Sequence, residues 1–303
     1  MKQNLNKYRG IFPAFYACYD GQGRISDERV GALTEYLIGK GVNGLYVGGS
    51  SGECIYQSVA ERKQLLEQVM EANRGRVTVI AHVACNNTED SRELARHAEN
   101  LGVDAIAAIP PIYFHLPPYA IAKYWNDISD AAPDTDFVIY NIPQLAGVAL
   151  NPALLRTMLE NKRVIGVKNS SMPVQDIEMW RDEGAMVFNG PDEQLLSGLA
   201  AGAVGGIGGT YGAMPELYLK IYDLFGKGDI ALAREIQDAC CHIIYKMCAG
   251  KGNLYAIIKA VLRELGGPDI GSVRAPLFPE QPEDKPVVED AAWMIRDAYA
   301  RFL

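Results

Sequence analysis

Among the residues of this sequence able to do covalent chemistry, a lysine that closes an apolar run has the most telling position. Lys168 follows Val164-Ile165-Gly166-Val167, so a strand through this run would set its amine at the rim of a buried sheet. To attack a ketone the amine must be neutral. At an unperturbed pKa of about 10.4, only about one molecule in 2,500 meets that condition at pH 7. Desolvation at a strand end moves the pKa in the required direction. The rival reading is a lysine that snorkels to water or pairs with a carboxylate, and on the residues alone both readings stand.

Other polar groups close similar runs. Tyr140 ends the preceding strand-like segment, one strand–helix unit before Lys168, where a phenol could move protons for a neighbouring amine or simply keep its ring in the core. Gly48-Gly49-Ser50-Ser51-Gly52-Glu53 offers two hydroxyls and glycines that let backbone N–H groups approach an anion, or it is an ordinary turn. Gly205-Gly206-Ile207-Gly208-Gly209-Thr210 is a second glycine-rich candidate cradle. Asp192 and Glu193, in Asn189-Gly190-Pro191-Asp192-Glu193, suit hydroxyls of a polyol or, equally simply, the acidic first turn of a helix.

These positions need a frame that brings strand ends together. A short apolar run, a turn and a helical pattern recur eight times, with strands expected at Ile11–Ala17, Gly44–Val47, Val77–Val83, Ala105–Ile109, Phe137–Tyr140, Val164–Lys168, Met186–Asn189 and Val204–Ile207. Helix starts are marked by Ser26, by Ser58 with Glu61, and by Asn151-Pro152. Eight such units imply an α/β fold of the (β/α)8 TIM barrel type, over a doubly wound sheet, with reactive groups gathered at the C-terminal rim. The alternation stops after Gly228. Residues 1–228 are therefore expected to form the catalytic barrel. Residues 229–303 form a C-terminal extension of three helices, Ala231–Ala249, Leu254–Leu265 and Val288–Phe302, packed on the barrel with a proline-rich connector from Pro268 to Pro286. Cys240, Cys241 and His242 fall within the first of these and read as packing residues.

Composition narrows the function. The chain has 303 residues, 49% hydrophobic and 22% charged, with a net charge of -8 and a pI near 5.1. Its Lys and Arg are scattered, which argues against nucleic acid or an anionic membrane as partner. No run approaches the roughly 18 apolar residues of a membrane span, and Met1–Gly10 lacks a signal-peptide core, so a cytoplasmic location is expected. Four single cysteines, the adjacent pair Cys240-Cys241 and four dispersed histidines show no metal-ligand spacing, and no metal site is expected.

Taken together, Gly-Gly-Ser-Ser-Gly-Glu at 48–53, Tyr-Asn-Ile-Pro at 140–143 and Gly-Val-Lys-Asn-Ser at 166–170 resemble the N-acetylneuraminate lyase and dihydrodipicolinate synthase superfamily, from Gly10 to Val273-Arg274-Ala275-Pro276-Leu277. The resemblance implies a class I aldolase with Lys168 as the Schiff-base lysine and Tyr140 as the proton-transferring phenol. It implies that Ser50 and Ser51 hold a pyruvyl carboxylate, and that Ser50 links Tyr140 to a second tyrosine, Tyr113, from a neighbouring subunit of a homotetramer. The chain looks closest to the sialic acid lyase branch, whose Gly-x-Asp-Glu is matched by Gly190, Asp192 and Glu193. Gln144-Leu145-Ala146-Gly147-Val148 replaces the arginine-bearing segment of the synthase branch.

Two positions depart from that pattern. Ser170 stands in place of a threonine, and Gly209 in place of a serine that contacts the sugar chain. Loss of that hydroxyl removes a hydrogen bond of about 1 kcal/mol or reshapes the pocket for another tail. The implied reaction is reversible cleavage of N-acetylneuraminate to pyruvate and N-acetylmannosamine, without metal or organic cofactor because the imine is the electron sink. Its alternatives are dihydrodipicolinate synthesis, another 2-keto-3-deoxy sugar acid aldolase, or a non-catalytic binder of pyruvate or a sugar acid.

Overall fold

The computed structural model describes residues 5–303. Its strands are β1 (Gly10–Pro13), β2 (Gly44–Val47), β3 (Thr78–His82), β4 (Ala105–Ala108), β5 (Asp136–Asn141), β6 (Val164–Asn169), β7 (Met186–Asn189) and β8 (Gly205–Gly208). They run in the order β1-β8-β7-β6-β5-β4-β3-β2, and every ladder is parallel. A bridge between Ala14 and Tyr46 joins β1 to β2 and closes the ring. The expected TIM barrel is therefore present, because short strands apolar on both faces need cover inside and outside the sheet.

The helices are α1 (Asp27–Gly39), α2 (Val59–Asn73), α3 (Thr88–Asn100), α4 (Pro118–Asp130), the single turn α5 (Pro143–Ala146), α6 (Pro152–Leu159), α7 (Gln175–Asp182), α8 (Leu195–Ala200) and α9 (Pro215–Lys227), followed by α10 (Ile230–Cys248), α11 (Leu254–Glu264) and α12 (Lys285–Phe302). Their starts use the expected chemistry. Ser26 accepts from the Arg29 N–H, Ser58 and Glu61 form a reciprocal capping box, and Asn151 accepts from Leu154 ahead of Pro152.

Two apolar layers result. Phe12, Tyr46, Ile80, Val138, Phe188 and Ile207 fill the lumen, while a larger shell lies between the sheet and the helices. Cys240 belongs to that outer shell, as a packing residue should, and Cys241 is half-buried, whereas His242 is exposed and packs in no core, which corrects the packing reading at that position.

Three expectations about the elements need correction. β1 ends at Pro13 rather than Ala17; beyond Ala14 the chain stays buried but leaves the ladder. The last helix begins at Lys285, inside the expected connector, because Pro286 occupies a first-turn position where no N–H is required. The extension is also more than a packed appendage. Through Tyr255 and Lys259 on α11 it reaches Ser51 and Glu53 in the glycine-rich turn after β2.

Candidate active site

Register explains how Lys168 comes to face the lumen. It pairs with Tyr140 on β5 and Phe188 on β7, both lumen residues, and neighbours in register on a pleated sheet point the same way. Its side chain is buried, with 4% exposure. The Nζ atom lies 3.9 Å from the centroid of the Tyr140 ring and 4.1 Å from that of the Tyr46 ring. Among the described residues no carboxylate forms an ion pair with it, so the snorkelling and salt-bridged readings fail. Burial pulls its pKa down from 10.5 to about 7, against the opposing pull of Asp192 and Cys54. Half the amines are then neutral near pH 7.

The outer face of the same two strands holds this register. Asn141 donates through Nδ2 to Asn169 Oδ1 at 2.8 Å, and the same Asn169 oxygen accepts from Trp180 Nε1 at 2.9 Å. Asn141 Oδ1 accepts from the Leu150 N–H at 3.0 Å. Asn141 follows Tyr140 and Asn169 follows Lys168 by one position, so this outward pair sets how far Tyr140 stands along β5 relative to Lys168 on β6.

Tyr140 is buried, and loss of hydration pushes its phenol up to about 12, with the hydroxyls of Ser50 and Ser170 drawing it part of the way back. A phenol this weakly acidic carries its proton at rest. Tyr46, which sequence reading treated only as part of an apolar strand, forms the other side of the amine's slot. Its own hydroxyl is buried without a hydrogen-bond partner among the described residues. His82 stacks edge-on against Tyr140 and donates from Nδ1 to the Gly48 carbonyl at 2.9 Å. Burial and the Arg62 charge hold its pKa well below the usual histidine value, so it is a neutral support for the turn after β2.

That turn carries Ser50 and Ser51 on a single 3-10 turn, Ser50–Gly52. Ser51 donates to the hydroxyl of Tyr255 at 3.3 Å. Tyr255 lies on α11 and had no signal in its local sequence. Gly209, after β8, completes this corner: a Cβ there would lie 3.1 Å from Ser51 Oγ and 3.6 Å from the Tyr255 ring. The tyrosine thus occupies the neighbourhood where a serine side chain would otherwise project. A cavity of about 650 Å³ shares Ser50 and Tyr255 and continues past Ile109, Leu145 and Leu277.

After β7, Gly190 is required sterically, since a Cβ would fall 2.1 Å from Ser170 Oγ and 2.6 Å from the Asn169 carbonyl. Asp192 does not cap its own short helix. Its carboxylate accepts from the Thr210 N–H at 2.6 Å and the Thr210 hydroxyl at 2.5 Å, tying the β7 and β8 loops together. Burial raises its pKa to about 6, opposed by those hydrogen bonds and by Lys168. Glu193 is half-buried and, among the described residues, its carboxylate has no hydrogen-bond or ion-pair partner. It is the freer of the two acids.

Tyr113 is not brought to Lys168 within the chain. It is 86% exposed, with φ +82, and its ring meets that of Phe114 edge-on at 5.1 Å. A second cavity of about 650 Å³ lies beside it, lined by Phe114, Leu116, Tyr119 and Tyr124. Among the described residues no three His, Cys, Asp or Glu side chains converge as metal ligands, and no helix is long and apolar enough to cross a membrane.

Residues 7–294 match the model of the dihydrodipicolinate synthetase family. The chain belongs to that family. Among its members it is 63% identical to an N-acetylneuraminate lyase of Mediterraneibacter gnavus, over 99% of this chain and 96% of that one. An N-acetylneuraminate lyase of Citrobacter koseri is 36% identical over 89% of this chain and 91% of its own. The solved structure of the wild-type Ruminococcus gnavus sialic acid aldolase superposes with a TM-score of 0.97 at 63% identity, covering 98% of this chain and all of that one. The structure of a catalytic-lysine mutant of that aldolase superposes at 0.98.

Proposed function

We propose that this protein is a Schiff-base aldolase that cleaves N-acetylneuraminate reversibly to pyruvate and N-acetylmannosamine. The observation that carries the reading is the Lys168 amine, dry between two tyrosine rings with its pKa near 7. The choice of sugar acid rests on the 63% identity to a lyase of that specificity, together with Gly190, Asp192 and Glu193 after β7.

In this reading Ser50 and Ser51 hold the substrate carboxylate while Lys168 Nζ attacks the C2 ketone of the open-chain sugar acid. The Tyr140 phenol protonates the departing C2 hydroxyl, water leaves, and a cationic imine stands beside the new phenolate. That phenolate takes the proton of the C4 hydroxyl as the C3–C4 bond breaks, and the bonding pair flows into the imine to give an enamine. N-acetylmannosamine departs. Tyr140 returns its proton to C3, water hydrolyses the imine, and pyruvate is released with the free amine. A phenol with a pKa near 12 suits this role because it keeps its proton until the departing hydroxyl takes it, and the cationic imine that results then stabilises the phenolate.

The sugar tail meets Glu193, with Asp192 holding the β7 and β8 loops, Gly190 leaving room, and Ser170 and Gly209 lining the approach. Tyr113 belongs to the site of a neighbouring subunit in a homotetramer. Its exposed ring, the exposed Phe114 and Tyr119 beside it, and the cavity between them support a surface covered by a second copy. The barrel at 1–228 and the extension at 229–303 serve one site in the cytoplasm. Dihydrodipicolinate synthesis and other 2-keto-3-deoxy sugar acids differ from this reading only in the aldehyde, so a panel of aldehydes with pyruvate separates them. The deciding assay is pyruvate release from N-acetylneuraminate by wild type and by Lys168→Ala. Turnover by the wild type alone is expected, and equal turnover by the variant would refute the assignment.

A further inference from the structure

Glu53 closes the glycine-rich turn, and its carboxylate is bonded to Lys259 and to the Arg274 N–H. Its side chain and that of Lys259 on α11 are both fully buried and meet at 2.8 Å. The second Glu53 oxygen accepts from the Arg274 N–H at 2.9 Å, and Lys259 donates again to the Ser272 carbonyl at 2.8 Å. Both Glu53 oxygens are therefore bonded to the C-terminal extension, and Lys259 is anchored within that extension by its second hydrogen bond. Two features set it apart from an ordinary stabilising contact. Glu53 is held at φ 55 and ψ 30, a left-handed conformation costly for a side chain with a Cβ, at the junction of the turns Ser50–Gly52 and Cys54–Tyr56. A buried ion pair also gains little stability over apolar residues of similar size, whereas breaking one by removing a single partner is costly.

We infer that Glu53 and Lys259 are positioning residues: the pair clamps the Ser50–Ser51 turn to α11, so that both hydroxyls stand where the carboxylate of the keto acid must lie. Tyr255, one helical turn before Lys259, grips Ser51 from the same helix. The turn is thus held at both ends by one rigid element. The inference rests on the Schiff-base reading above, since it supposes that Ser50 and Ser51 bind the carboxylate.

The test is borohydride trapping of pyruvate on Lys168, followed by intact mass, in wild type, Glu53→Gln, Lys259→Met and the double variant, with thermal unfolding recorded for each. The single variants should raise the pyruvate concentration for half-maximal trapping on the order of tenfold or more while the trapped fraction at saturation stays near wild type. The double variant removes both charges, so its unfolding temperature should recover toward wild type while its half-saturation stays high. If either single variant fails to fold, the double variant decides. Half-saturation that recovers along with stability, or that never moved in folded variants, would overturn the clamp and leave the aldolase reading intact. Wild type that gains no mass would overturn the aldolase reading itself, and the clamp with it.

Discussion

Replacing Lys168 with methionine keeps the length and packing of the side chain but removes its ionisable amine. The pKa of about 7 in the folded chain, against 10.5 for an ordinary lysine, means that the unfolded chain binds more protons between these two values. Stability should then rise as pH climbs through that window. Below pH 7 the wild type carries the whole penalty of a buried ammonium, on the order of 5 kcal/mol for a shift of this size. Near pH 10.5 the penalty is gone. Lys168→Met has no such penalty, so it should exceed the wild type by about 4 kcal/mol at pH 7 and by about 1–2 kcal/mol at pH 9.5. Urea unfolding at one fixed protein concentration, at both pH values, measures the difference. A variant no more stable than wild type at pH 7, or an advantage that does not shrink at pH 9.5, would refute a dry, pKa-lowered amine.

Three further outcomes follow from the geometry. Tyr140→Phe should lose about 10²–10⁴-fold in turnover while its fold persists, because the phenol's proton transfers are lost and its ring still packs on Tyr46, as steady-state kinetics and circular dichroism would record. Glu193→Ala should raise KM for N-acetylneuraminate more than it alters pyruvate trapping, since its carboxylate has no partner to lose among the described residues; equal losses in both would contradict contact with the sugar. Asn169→Leu should lower unfolding stability by about 2–4 kcal/mol, because it strips the Asn141 amide and the Trp180 N–H of their shared acceptor in a buried setting. Denaturant titration checks it, and a neutral effect would mean that those donors find other partners.

The strands were legible because each is a short apolar run between turn residues. The pairing of Tyr140 with Lys168 was legible because consecutive strands of a barrel are neighbours. Long-range partners were not. Tyr255 reaches Ser51 from a helix about 200 positions later in the chain, and local pattern carries no trace of that meeting. Tyr46 could have been found by parity: alternate residues of β2 face the lumen, and Tyr46 shares the level of Ile80, another lumen residue. Asp192 looked like a first-turn acid because sequence places acids there often; only the approach of the β8 loop reveals Thr210 as the group it binds. Asn141 and Asn169 were read as parts of motifs without a task. Their hydrogen bond exists only once two strands lie side by side.

Covalent capture of pyruvate reports on the Lys168 amine itself. Wild type treated with pyruvate and borohydride should gain the mass of one reduced pyruvyl adduct, mapped by peptide sequencing to Lys168, with half-maximal capture rate as pH rises through about 7. An adduct on another lysine, or no adduct at any pH, would contradict the Schiff-base role of Lys168.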